Sequence, residues 1–114
     1  LKVADLDRAI WFYRDVLGLP LLFEAGGMAF LRCGATRLML SLPSAPELDH
    51  PSSVLYFRVT EITPRMQAMA AAGATIRRMP QLTHRDATME LWMGFFEDSE
   101  GNLLALMEER APGD

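Results

Sequence analysis

The 114-residue sequence has little cysteine, little lysine and no long apolar run. Its one cysteine, Cys33, excludes an internal disulfide and a cysteine zinc cage, and it suits a reducing cytoplasm, where we expect the protein to act. The net charge of −4 comes without a basic cluster, so we expect no nucleic-acid partner. No apolar segment is long enough to span a bilayer, and we expect no membrane partner.

The residues that are present are typical of one globular domain. Half of the sequence is apolar and 23% is charged, a balance that argues against disorder. A chain of this length buries roughly two thirds of its unfolded surface when it folds. We therefore predict a single domain over residues 1–114.

The first half of the sequence predicts a helix followed by three strands. Asp5 is placed to cap a helix over residues 6–17, which has one apolar stripe. Gly18 supplies the left-handed stop that commonly ends a helix. Three alternating segments separated by glycine turns follow, and we predict strands at 19–24, 28–33 and 36–42.

The second half of the sequence shows the same order of elements. After a connector at 44–52, residues 54–59 alternate as a strand, Thr63-Pro64 marks a helix start and Gly73 marks its end. The remaining elements are predicted as a strand at 74–79, a loop at 80–87, a strand at 89–97, a four-residue turn at 98–101 and a strand at 102–108, before a frayed tail at 110–114.

These two halves form an internal duplication. Residues 1–5 correspond to 57–61 with an offset of 56, and residues 37–41 correspond to 103–107 with an offset of 66. The predicted class is therefore α+β, with two tandem βαβββ modules at 1–43 and 53–109. One such module has a single apolar sheet face and one helix, which is too little to stand alone, so the two should pair.

Two motifs in register with the duplication resemble the vicinal oxygen chelate superfamily, which contains glyoxalase I, bleomycin-resistance proteins and extradiol dioxygenases. They are Val3-x-Asp5-Leu6-x-x-Ala9-Ile10-x-Phe12-Tyr13-x-x-x-Leu17-Gly18-Leu19 and Phe96-Glu97-Asp98-Ser99-Glu100-Gly101-Asn102. The resemblance implies a curved mixed sheet around a cavity. In metal-using relatives, each module's first and fourth strands supply ligands for a divalent cation.

The resemblance carries those ligand positions onto Met39, Val54 and Ala105, and the fourth position falls three residues before Leu1. A thioether is a poor ligand for hard divalent ions, and valine and alanine have no donor atom. We therefore expect no metal site of the usual kind and no cofactor.

Side-chain alternation predicts which residues face the cavity. Pairing across the predicted turn at 98–101 places Gly94 opposite Ala105 and turns Glu90, Trp92 and Phe96 to the cavity side. The predicted ligand-binding residues are Phe30, Arg37, Met39, Val54, Tyr56, Arg58, His84, Glu90, Trp92, Phe96, Ala105 and Met107. Such a wall suits a flat or aromatic small molecule, although side chains of this kind also fill small barrels.

Polar residues near this wall suggest further roles. Glu90 beside Trp92 is the candidate catalytic residue, because a carboxylate in an apolar site can act as general acid or base. A pairing error of one residue, or an ion pair with a nearby arginine, would remove that role. His84, in the predicted 80–87 loop, is a candidate lid residue. Arg32 and Arg37 either grip an anionic ligand group or form a solvated face.

The leading hypothesis is metal-independent binding, including sequestration, of a small, partly aromatic molecule by a homodimer. The alternative is an enzyme of the same superfamily. A lyase or dioxygenase would then use a non-standard metal site such as His84, Asp86 and Glu90, or Glu90 would catalyse acid–base chemistry without metal. A third hypothesis is a scaffold whose barrel is filled.

Overall fold

In the part of the chain that the structure describes, short apolar segments separated by glycine turns form two helices and seven strands. A computed structural model describes residues 1–43 and 54–112. The helices are α1 (Leu6–Ile10), which continues as a π-helical segment (Trp11–Val16), and α2 (Ile62–Ala71). The strands are β1 (Leu21–Ala25), β2 (Met28–Cys33), β3 (Thr36–Ser41), β4 (Tyr56–Arg58), β5 (Thr75–Arg85), β6 (Glu90–Glu97) and β7 (Leu103–Arg110).

The chain divides into two units, each with its own sheet, and this confirms the predicted α+β class. Unit 1 comprises Leu1–Ser53 and Asp98–Asn102, and unit 2 comprises Val54–Glu97 and Leu103–Asp114. Unit 1 contains a three-stranded sheet in the order β1-β2-β3, and unit 2 contains a four-stranded sheet in the order β4-β7-β6-β5. Among residues 1–43 and 54–112, no helix has the length and apolarity needed to cross a membrane.

In unit 1, one face of the sheet is buried beneath the helix. Asp5 caps α1 by accepting a hydrogen bond from the Arg8 amide at 3.0 Å, as its position before the apolar stripe predicts. The side chains of Ala29, Leu31 and Leu40 are fully buried, and they alternate with exposed or half-buried neighbours. Period-two alternation therefore gives this sheet a core face and an open face.

In unit 2, helix α2 covers one face of the longer sheet. Phe96, Leu104 and Leu106 lie on this covered face and are buried together with Met66 of α2. Gly94 belongs to the same face, and a Cβ atom built on it would lie 2.9 Å from the Met66 Cε atom. The absence of a side chain at Gly94 therefore lets the helix approach the sheet closely.

The strand pairing reproduces the duplication residue by residue. In unit 1, Lys2 forms a parallel bridge with Ser41. The offsets of 56 and 66 carry this pair onto Arg58 and Met107, which are paired in parallel in unit 2. The predicted repeat is therefore present in the backbone hydrogen bonding of both units.

The start of α2 differs from the prediction. The N-cap is Glu61, two residues before the predicted Thr63, and its φ of 55° lies in the left-handed region. Glu61 makes no side-chain cap; instead, the Glu108 carboxylate accepts from the amides of Glu61 at 2.8 Å and Ile62 at 3.1 Å. A distant residue thus supplies the cap that the local sequence lacks, and no local pattern could indicate this start.

The predicted loop at 80–87 is wrong, because β5 continues through it to Arg85. Pro80 had suggested a break, but β5 is an edge strand, and one of its irregularities in pairing lies between Arg78 and Gln81. Proline is tolerated at such edge and bulge positions, since no ladder hydrogen bond is lost. Strand β7 also continues to Arg110, into the predicted tail, and the connector predicted at 44–52 lies outside the described residues.

The predicted pairing of β6 with β7 is wrong by one residue. Phe95, not Gly94, lies opposite Ala105. The Asp98 amide donates to the Asn102 carbonyl at 2.9 Å, and Gly101 between them has a φ of 82°, so the turn is a three-residue loop with a left-handed glycine. An odd loop in place of the predicted even one turns every side chain of β6 to the opposite face.

Candidate functional site

The open face of unit 1 carries large apolar side chains that the fold leaves in solvent. Phe30 of β2 pairs with Met39 of β3, as predicted, and Phe23 of β1 pairs with Phe30. Phe23 is 44% exposed and Met39 is 40% exposed. Because the opposite face of the same strands is packed beneath the helix, these side chains form a separate surface, which we call the aromatic face.

The aromatic face is an ordered stack. The rings of Phe23 and Phe30 lie 4.6 Å apart between centroids at an interplanar angle of 23°. The Arg37 guanidinium carbon lies 5.8 Å from the Phe23 ring centroid, within the range of a cation–π contact. Neighbouring strands therefore present two stacked aromatic rings with a cation over one of them.

Unit 2 has an open face of its own. Tyr56 of β4 pairs with Ala105 of β7, and its ring meets Phe95 of β6 edge to face, with centroids 6.1 Å apart. Tyr56 is 50% exposed, whereas Ala105 is fully buried. Arg58 pairs with Met107 on the same side, as the alternation of β4 predicts, and Val54, two residues before Tyr56, is also exposed.

Two residues predicted to face the cavity lie on the covered face of unit 2 instead. Phe96 pairs with Leu104 and is fully buried, and Trp92 pairs with Glu108. The Trp92 ring is covered by the Arg110 guanidinium, whose carbon is 4.7 Å from the ring centroid. The prediction that Phe96 and Trp92 face the cavity is wrong, because the three-residue loop between β6 and β7 turns the side chains of β6 to the opposite face.

Glu90, the candidate catalytic residue, lies on this covered face as well. It is 1% exposed, and its Oε2 atom accepts hydrogen bonds from Arg85 Nε at 3.0 Å and Nη2 at 2.9 Å. Its Oε1 atom accepts from Trp92 Nε1 at 3.2 Å. The buried carboxylate is thus held in an ion pair with an exposed arginine, which corresponds to the structural alternative for this residue; its acid–base role stays a prediction.

His84 lies on β5 and not in a loop. The pairing places it beside Leu91, on the side of β6 that carries Phe95. Its Nε2 atom is 3.0 Å from Asp86 Oδ2. Hydrogen bonds from the Thr88 hydroxyl and from His84, followed by those from the amides of Thr88 and Met89, hold the pKa of Asp86 well below its ordinary value. By accepting these hydrogen bonds, Asp86 holds the turn between β5 and β6 together.

The residues at the superfamily's ligand positions do not fit a divalent cation. Met39, Val54 and Ala105 offer a thioether, an isopropyl group and a methyl group. The alternative set of His84, Asp86 and Glu90 is not assembled, because His84 and Glu90 pair on opposite sides of the hairpin. Across residues 1–43 and 54–112, no group of three or more His, Cys, Asp or Glu side chains is arranged to hold a metal ion.

Two residues of the open faces were not predicted, and the duplication could have indicated one of them. Phe95 is the equivalent of Phe30, since Phe30 pairs with Met39 and Phe95 pairs with Ala105, the repeat partner of Met39. Applying the repeat to β6 would have given the correct face. Phe23 follows an irregularity in the pairing of β1 with β2 between Leu21 and Phe23, which alternation along β1 does not reveal.

The chain was compared with known families and proteins. The family model for the glyoxalase/bleomycin resistance protein/dioxygenase superfamily matches residues 1–106. No match is found among curated proteins.

Solved structures share the fold. An integron cassette protein from V. cholerae is 24% identical, with a TM-score of 0.77 over 95% of this chain and 89% of that one. TioX from Micromonospora sp. ML1 is 22% identical, with a TM-score of 0.75 over 95% and 94% of the two chains. Lactoylglutathione lyase from Agrobacterium tumefaciens is 22% identical, with a TM-score of 0.68 over 95% and 88%.

Proposed function

The chain belongs to the glyoxalase/bleomycin resistance protein/dioxygenase superfamily, and we propose that it binds a small, partly aromatic organic molecule without a metal ion. The observation that carries the proposal is the aromatic face of unit 1. There, Phe23 and Met39 are exposed and Phe23 stacks on the partly exposed Phe30, on a sheet whose other side carries the fully buried side chains of Ala29, Leu31 and Leu40. Folding alone does not require such a surface.

Contiguous exposed apolar surface is a common mark of a binding site. Stacked rings offer a ligand ring a large contact area in an orientation that aromatic pairs prefer. Met39 beside them adds a flexible, polarisable side chain that adapts to the outline of a ligand. A planar aromatic molecule is therefore the ligand that this surface fits best.

Metal independence is supported by the donor chemistry of the three superfamily ligand positions. The Met39 thioether lies within the aromatic face, where it contacts a ligand as an apolar group. Val54 and Ala105 have no atom with which to coordinate a cation. Side chains that hold an ion in metal-using relatives are thus replaced by side chains that can only pack.

We further propose sequestration as the biological role, by a homodimer in the cytoplasm. Sequestration requires no catalytic group on the binding surface, and the Glu90 carboxylate is buried on the covered face of unit 2 in an ion pair with Arg85. The dimer follows from the resemblance to superfamily members that act as two-fold dimers. Sedimentation velocity checks it, and a single-chain mass at every concentration would argue against it.

The proposal is tested with 2-naphthamide, a neutral two-ring aromatic molecule, titrated into the protein by calorimetry. We expect saturable binding that is unchanged by a chelator and by added Zn²⁺, Ni²⁺ or Mn²⁺. The Phe30→Ala variant should bind about tenfold more weakly, because it removes one ring of the stack and its buried area. Binding that is lost with the chelator and restored by one of these cations would contradict metal independence.

Trp11→Ala is the matched control. Trp11 is also an exposed aromatic residue of unit 1, but it lies in the π-helical segment and not on the sheet. The Trp11→Ala variant should bind 2-naphthamide with the same affinity as the unchanged protein. If Trp11→Ala weakens binding and Phe30→Ala does not, the aromatic face is not the binding surface.

A further inference from the structure

Most arginine side chains of this protein donate hydrogen bonds to an acceptor. The arginines that do not are all on β-strands. Six of the ten have a hydrogen-bond acceptor in the structure: Arg8, Arg14, Arg65, Arg77, Arg85 and Arg110. The other four make no side-chain hydrogen bond or ion pair within residues 1–43 and 54–112: Arg32, Arg37, Arg58 and Arg78. Arg32, Arg37 and Arg58 lie on open sheet faces, and Arg78 pairs with Phe95 of the open face of unit 2.

Two of these arginines stand directly opposite each other. Arg32 of β2 pairs with Arg37 of β3, on the same side as Phe30 and Met39. Like charges across neighbouring strands destabilise a sheet. The described part of this face has no carboxylate to offset them, because Glu24 of β1 pairs with Ala29 on the covered side. Two facing guanidiniums without an acceptor therefore gain from an anion brought from outside.

The position of Arg37 links the two cations to the aromatic surface. Its guanidinium carbon lies over the Phe23 ring at 5.8 Å, and Phe23 stacks on Phe30. An aromatic ring that packs against these phenylalanines would thus lie close to Arg37, with Arg32 on the neighbouring strand. The planar donor fork of a guanidinium matches an oxyanion with two oxygens, such as a carboxylate.

We infer that the ligand of the aromatic face is an anionic aromatic molecule, with an oxyanion such as a carboxylate on the ring. This inference rests on the proposed function and specifies the chemical class of its ligand. The phenylalanine stack holds the ring, and Arg32 and Arg37 bind the charged group. The ligand anion also screens the two arginines from each other, so binding stabilises the sheet.

The test compares 2-naphthoate with 2-naphthamide, which have the same rings and similar shape but differ in charge. In calorimetric titrations at low salt, 2-naphthoate should bind at least about tenfold more tightly, because hydrogen bonds to a charged acceptor are the stronger kind. Arg37→Gln and Arg32→Gln should each reduce this ratio, and the double variant should abolish it. Because Arg37 also contacts the Phe23 ring, the readout is the ratio of the two affinities within each variant and not the affinity for 2-naphthamide alone.

Arg78→Gln is the matched control, since it removes an equal charge from an arginine that also has no acceptor but lies on β5. It should leave the ratio unchanged, and an equal reduction would show a general charge effect and overturn the inference. Equal affinities of the two probes would overturn it too, while leaving the proposed function intact. If neither probe binds, both fail. A variant that fails to fold would lose both probes together, so the ratio within each variant reports the charge effect separately.

Discussion

Helices α1 and α2 occupy equivalent places in the repeat but begin in different ways. At α1, Asp5 caps the helix from within, and the Glu100 carboxylate also accepts from the amides of Ala4 at 2.8 Å and Asp5 at 2.9 Å. At α2, Glu61 provides no cap, and the only carboxylate on the first amides of that helix, within the described residues, is that of Glu108. The first helix has local and distant support, whereas the second depends on a distant residue.

Burial disfavours the ionised forms of Glu100 and Glu108, but the hydrogen-bond donors around each carboxylate outweigh this effect. Burial by itself would raise the pKa of Glu100, but the Arg8 guanidinium, the amides of Asp5 and Ala4 and the Ser99 hydroxyl together lower it to about 2. Burial likewise opposes ionisation of Glu108, yet the amides of Ile62 and Glu61 and the Arg110 guanidinium hold its pKa below the ordinary value. Each unit thus has an ionised carboxylate at the start of its helix, and the units differ only in whether a local side chain caps the helix as well.

The sheets of the two units also differ at one equivalent position, and a substitution there gives the largest expected loss of stability. Gly94 takes the place in unit 2 that Ala29 has in unit 1, opposite Leu106 and Leu40 respectively. Gly94→Ala should destabilise the protein by about 2–3 kcal/mol, because the fully buried Met66 side chain must move away from the new methyl group, which also comes within 3.2 Å of the Arg78 carbonyl oxygen. Urea unfolding measures the loss.

Two variants sharpen this result. Ala29→Gly should destabilise by only about 1 kcal/mol, the usual effect of glycine within a strand. Adding Met66→Ala to Gly94→Ala should give a smaller total loss than the sum of the single variants, since the truncated side chain makes room. Strictly additive losses would show that Met66 is not the cause of the constraint at Gly94.

The next effect concerns the helix start that has no local cap. Glu108→Ala should destabilise by about 2 kcal/mol, because it leaves two helix amides and the Arg110 guanidinium without their acceptor. Glu109→Ala removes the neighbouring exposed carboxylate and should have little effect. Denaturant unfolding of both variants at pH 7 provides the measurement, and equal losses would contradict the role of Glu108 as a cap.

The smallest effect, about 1 kcal/mol at pH 7, is expected for Glu100→Gln, since Asp5 still caps α1 from within. The pKa of Glu100 is lower in the folded protein than its ordinary value of 4.5, so its contribution is complete above that value and is lost as the pH falls toward about 2. The stability difference between the unchanged protein and Glu100→Gln should therefore shrink between pH 5 and pH 3.

Urea unfolding across this pH range tests the expectation. Glu24→Gln, which removes an exposed carboxylate of β1, is the control and should follow the unchanged protein closely. A difference for Glu100→Gln that stays constant from pH 5 to pH 3 would mean that the ionised carboxylate does not stabilise the start of α1.

The fold could be predicted from the sequence wherever a structural feature depends only on residues close together along the chain. Asp5 before an apolar stripe gave the start of α1, and Gly18 and Gly73, both with positive φ, gave the two helix ends. The site was predicted well in unit 1, where a two-residue glycine turn fixes the pairing of Phe30 with Met39. It was predicted poorly on β6, because the face of that strand depends on whether the turn before Asn102 has an odd or even number of residues.

By itself, the sequence determined the duplication, the order of its elements and the absence of oxygen or nitrogen side-chain donors at three of the superfamily's ligand positions. These follow from residue identity and spacing, which are properties of short segments. The tertiary structure decided which side of β6 lies on the open face, that the buried Glu90 carboxylate forms an ion pair with Arg85, and that Glu108 caps α2. Each of these depends on residues that are brought together only when strands pair and a helix packs on them, and no local preference specifies that outcome.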